Sequence, residues 1–133
     1  MRLLLDTHSL LWFLTDNPKL GSRAKAVIED PANERWLSPI SLLEIAIKHR
    51  LGKLPLPAPF GTLFPASLFP ASLLADDIQL LPLDVSHLEQ LILLPLHHRD
   101  PFDHVIAATA IVEELTLVSV DVAFDRYGLD RLW

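Results

Sequence analysis

Four carboxylates in this chain stand where folding could gather them: Asp6, Glu44, Asp103 and Asp121. Asp6 follows Leu3-Leu4-Leu5 and Asp121 follows the run 117–120, two short apolar stretches that read as strands covered on both faces. Ligands of parallel sheets bind beyond the carboxyl ends of the strands, which puts both aspartates along one edge. Glu44 lies among Leu42, Leu43, Ile45, Ala46 and Ile47, where a carboxylate is partly buried and needs a cation or hydrogen bonds. Asp103 falls in the first turn of a helix opened by Asp100-Pro101; with Asp100 as its cap, Asp103 is free to face the same edge. Such a group repels itself, and one member would protonate. A hard divalent ion with oxygen ligands, Mg²⁺ or Mn²⁺, relieves the repulsion. It can also generate a hydroxide and steady a phosphoryl transition state. The chemistry implied is phosphodiester hydrolysis.

Each residue also has a plainer reading. Asp6 and Asp121 could cap the helices that follow them. Glu44 stands three residues after Ser41, the spacing of a capping box. Thr7 and Ser119 could support the carboxylates through their hydroxyls, or be ordinary strand-end residues. Lys48, His49, Arg50 and Lys53 form a tight basic cluster. It suits a helix C-terminus, and equally a patch touching phosphates. Lys48, Arg50 and Arg99 are the candidate contacts to a nucleic-acid backbone, positioning it with little base specificity. His8 beside Asp6 could touch a phosphate or line the core. His97, His98 and His104 near Asp100 and Asp103 raise zinc, but their spacing matches no tight motif and the carboxylates favour harder ions.

The elements that must position these groups can be read in order. One strand ends at Asp6, and a short apolar helix spans 8–14. Ser22 is the expected cap of a second helix over 23–30. A strand at 35–37 is broken by Ser38-Pro39, and Ser41 is the expected start of a helix that stops at Gly52. Residues 54–75 carry five prolines and repeat Leu-Phe-Pro-Ala-Ser at 63–67 and 68–72. They read as a loop followed by a short helix capped by Ser67. Phe60, Phe64 and Phe69 there are either a sticky surface or part of the core. A strand at 78–83, a helix to 93 begun by Asp84 or Ser86, a helix at 101–115, the strand at 117–120, a last helical turn and a marginal edge strand complete the chain. The order predicts a three-layer α/β/α sandwich with a central parallel sheet of four or five strands.

The 133 residues suit a single domain, 1–133, with one core. Half are hydrophobic and none is cysteine, which excludes disulfides, thiolate nucleophiles and cysteine zinc sites. No signal peptide or membrane-spanning run is expected. The net charge of −6 disfavours nonspecific nucleic-acid binding, except where a bound ion inverts the local charge.

Five stretches together carry a resemblance: 3–8 (LLLDTH), 41–48 (SLLEIAIK), 51–54 (LGKL), 97–103 (HHRDPFD) and 117–124 (LVSVDVAF). In this order the chain resembles the PIN-domain family, in particular the VapC-like toxins of bacterial toxin–antitoxin pairs. The resemblance implies that Asp6, Glu44, Asp103 and Asp121 surround one or two Mg²⁺ or Mn²⁺ ions. It implies an endoribonuclease leaving 3′-hydroxyl and 5′-phosphate ends, acting in the cytoplasm as a homodimer held inactive by a cognate antitoxin. A small hydroxyl residue near the last aspartate, here Ser119, is usual in that family. Leu43 stands where many members carry an aromatic. Two other readings remain: a phosphoacceptor with Asp6 as nucleophile, which lacks a lysine at a strand end, and a noncatalytic protein-binding domain whose acids only cap helices.

Overall fold

The computed structural model describes residues 1–65, 77–97 and 100–133. Five parallel strands form one sheet: β1 (Arg2–Leu5), β2 (Glu34–Leu37), β3 (Ile78–Leu80), β4 (Thr116–Val118) and β5 (Arg131–Leu132), in the order β3-β2-β1-β4-β5. The helices are α1 (Thr7–Leu14), α2 (Ser22–Glu29), α3 (Pro39–Arg50), α4 (Phe60–Leu63), α5 (Val85–Leu93) and α6 (Pro101–Glu113), with a 3₁₀ turn at Val122–Tyr127.

Alternation along β1 builds the layers. Leu3 and Leu5 face one core with Leu10, Ala24, Ile28, Leu42 and Ile45 from α1, α2 and α3. Leu4 faces the other, with Ile106, Ala107 and Ala110 of α6 and Phe124. All three leucines are fully buried, each contributing roughly 2 kcal/mol of transfer free energy. This is the predicted α/β/α sandwich, and the sheet has the upper of the two strand counts expected. The fifth strand is the marginal one: Leu132 is buried and pairs with Val118. Among the described residues no helix is long and apolar enough to cross a membrane.

Three local starts differ from the sequence reading. α2 begins at Ser22 itself, with Gly21 as its N-cap. A Cβ at Gly21 would come within 3.1 Å of the Trp133 indole nitrogen, so close packing explains the glycine. α3 begins at Pro39, capped by Ser38, whose hydroxyl oxygen accepts from the Ile40 N–H at 3.2 Å. Ser41 is therefore inside the first turn, and the Ser41–Glu44 spacing is not a capping box. In the proline-rich segment a single turn, α4, precedes Phe64, which is buried and packs on Phe60 with ring centroids 5.0 Å apart. Burial accounts for Phe64, while Phe60 is partly buried against the core. Ser67, Phe69 and the second copy of the repeat lie outside the described residues.

The α5–α6 pair is tied by a buried histidine. His87 Nδ1 accepts from the Asp84 N–H at 3.0 Å, which fixes the tautomer in which Nε2–H donates to Glu113 Oε1 at 2.8 Å.

Candidate active site

The sheet order reverses direction between β1 and β4, the switch point where open α/β sheets form a crevice. Both strands deliver a polar group there. Asp6 directly follows β1, and its N–H donates to the Val118 carbonyl of β4 at 3.2 Å. Ser119 directly follows β4, and its hydroxyl oxygen accepts from the Asp121 N–H at 3.1 Å.

The caps expected for Asp6 and Asp121 are formed. Asp6 Oδ1 accepts from the Ser9 N–H at 2.8 Å, and Asp121 Oδ1 accepts from the Ala123 N–H at 2.9 Å. In each hydrogen bond it is Oδ1 that accepts. Burial pushes the Asp6 carboxyl above its ordinary range, opposed by hydrogen bonds from Ser119 and Ser9 and by His8. Ser119 thus touches both aspartates.

Glu44 is buried on α3, and its two oxygens have different partners. Oε1 accepts from the Thr7 hydroxyl at 2.6 Å, while Oε2 forms an ion pair with Lys48 one turn along the same helix. Thr7 also lies 3.1 Å from the buried Ser41 hydroxyl. Lys48 reaches further, to Asp100 Oδ2 at 3.2 Å. Asp100 caps α6 as expected, with Oδ1 accepting from the Phe102 N–H at 2.9 Å.

Asp103 is the electrostatic centre. Burial first, then the charges of Asp100, Glu44, Asp6 and Asp121, push its carboxyl up to about 7. The other three candidate carboxylates therefore all act on Asp103, with Asp100 as a fourth. The donor set, carboxylate oxygens in mutual repulsion, suits a hard divalent cation. In the arrangement present, however, no three His, Asp or Glu side chains among the described residues are grouped to hold a metal ion. Asp6 and Asp121 each accept a cap hydrogen bond at Oδ1, and Glu44 meets Thr7 and Lys48.

Lys48 turns inward onto the acids. Arg50 is exposed at the end of α3. Arg99 and His98 lie outside the described residues. His8 is exposed and packs on Trp12 with ring centroids 5.6 Å apart; His97 packs on Tyr127 at 5.0 Å. The residue whose role sequence reasoning missed is Lys48 as a partner of Glu44. The signal was available, since Glu and Lys four apart on a helix face each other.

The PIN domain family model matches residues 3–129. No curated protein matches the sequence. Several solved structures share the fold. VapBC2 from Rickettsia felis, bound to a DNA fragment from its promoter, superposes with a TM-score of 0.68 at 17% identity, covering 99% of this chain and 98% of that one. FitAcB from Neisseria gonorrhoeae gives 0.62 at 23% identity, covering 98% and 96%. A toxin–antitoxin complex from Klebsiella pneumoniae gives 0.55 at 19% identity, covering 90% and 86%.

Proposed function

The chain belongs to the PIN domain family, and on that premise we propose that it is a divalent-metal-dependent endoribonuclease, the toxin of a toxin–antitoxin pair. The observation that carries the reading is the elevation of Asp103 to about 7 by burial and by Asp100, Glu44, Asp6 and Asp121. Helix capping accounts for Asp100, and for Oδ1 of Asp6 and of Asp121. It gives no reason to bury Glu44 or to place Asp103 in the same field. The noncatalytic reading is weaker for that reason.

Asp6, Glu44, Asp103 and Asp121 would hold Mg²⁺ or Mn²⁺. When bound, such an ion supplies a water of lowered pKa and stabilises charge on the phosphoryl oxygens. The chain's own residues prepare the site. Thr7 fixes the plane of the Glu44 carboxylate through Oε1, and Ser119 holds the Asp121 backbone against the edge that carries Asp6. Arg50, exposed at the end of α3, and Arg99 would neutralise phosphates flanking the cut and so set the strand's position. No histidine pair is required as acid and base.

The partners proposed are RNA as substrate, a second copy of the chain and a cognate antitoxin. An apolar cavity of about 360 Å³ beside α3, lined by Pro39, Ile40, Leu42, Leu43, Ala46 and Phe60, gives an antitoxin segment a surface to bury. The solved relatives named as VapBC2 and as a toxin–antitoxin complex support pairing with such a protein. A cytoplasmic location and action as one domain over 1–133 belong to the same reading.

The test is cleavage of a mixed set of structured RNAs by the protein and by Asp6→Asn, with EDTA controls. Cleavage that needs Mg²⁺ or Mn²⁺ and falls by at least about a hundredfold in the variant is expected. Equal cleavage by both proteins would remove Asp6 from the site.

A further inference from the structure

We propose that Lys48 is a built-in counter-cation: its ammonium compensates the buried Glu44 carboxylate and is displaced from it when a divalent ion binds. The inference rests on the divalent-ion reading above.

Glu44 has a side chain only 3% exposed. A carboxylate that deep requires a positive partner or full hydrogen bonding. Thr7 satisfies Oε1, and the Lys48 ammonium takes Oε2. The same ammonium is 3.2 Å from Asp100 Oδ2, so one lysine joins α3 to the cap of α6.

An ammonium and a divalent cation cannot share Glu44 Oε2 without strong repulsion, because the deep site screens them poorly. Lys48 can leave. Its side chain is 32% exposed, and a flexible four-carbon stem carries its charge. Asp100, with a side chain 30% exposed, lies further out than Glu44 and can retain the ammonium after Glu44 turns to an ion. Exchange of one cation for another keeps the buried charge compensated in both states. The consequence is a lowered apparent metal affinity, since binding must break the Lys48–Glu44 pair.

Mn²⁺ titration calorimetry and thermal unfolding, the latter in EDTA and in saturating Mn²⁺, separate this from a merely structural ion pair. The proteins compared are the wild type, Lys48→Met, Lys48→Arg and Lys53→Met, the last removing a nearby charge outside the pair. Lys48→Met is expected to bind Mn²⁺ about tenfold tighter. It should unfold below the wild type in EDTA and at the same temperature as the wild type in Mn²⁺. Lys48→Arg should resemble the wild type, and Lys53→Met should leave affinity within about twofold. Unchanged affinity in Lys48→Met overturns the proposal, as does a stability deficit that persists in Mn²⁺ or an equal gain in Lys53→Met. A wild type that binds no Mn²⁺ overturns the divalent-ion reading together with this one, whereas binding without the Lys48 effect overturns this one alone.

Discussion

Asp103 shows what a single residue's surroundings demand. Its carboxyl is raised to about 7 by burial and by four neighbouring carboxylates. In the unfolded chain it would release its proton near the ordinary value of 3.8. Between those values the folded state holds a proton that the unfolded state has lost. Stability from this group is thus complete below about 3.8 and declines as pH rises to and through 7. Asp103→Asn removes the charge that is costly at high pH. In EDTA its melting temperature should exceed that of the wild type by more at pH 8 than at pH 5. Scanning calorimetry at the two values checks this, and a constant gap would show that Asp103 does not carry the strain. The carboxylates were legible in the sequence because each follows an apolar run or opens a helix. Their partners were less so. Thr7 meeting Glu44 depends on a contact between elements, whereas Ser119 meeting Asp121 two residues on and Lys48 pairing with Glu44 are written in local spacing.

At the scale of elements, α3 is where sequence reasoning and structure part. Two start signals compete: Ser38-Pro39, a cap with proline next, and Ser41 with Glu44 three residues on. The earlier one wins. Proline at the first helical position loses no hydrogen bond there and has its φ already set. Ser38 is fully buried, and its hydroxyl oxygen takes the Ile40 N–H. This choice frees Glu44 from the cap and turns it toward Thr7. Ser38→Ala should cost about 1 kcal/mol, read as a lower urea midpoint with an unchanged slope. A loss within experimental error would mean the helix start is held by Pro39 and packing alone. The strand-and-helix order was readable from apolar runs and turn residues. β5 was marginal because two residues carry no period, and α4 because prolines on both sides mask a single turn.

At the scale of the molecule, the topology makes the site. Placing β1 and β4 side by side sets Asp6 next to Ser119, and α3 and α6 then close over the edge with Glu44 and Asp103. The parallel sheet was legible because strands alternate with helices throughout. The neighbour order β3-β2-β1-β4-β5 is set by long-range packing that no local pattern encodes. Acids concentrated at one edge are tolerable where a cation completes them. The most direct measurement is therefore Mn²⁺ titration calorimetry of the protein beside Asp103→Asn and Asp6→Asn. Saturable binding by the wild type, weakened at least about tenfold in each variant, is the expected result. No binding, or equal binding by all three proteins, would contradict a divalent-ion site built from these carboxylates.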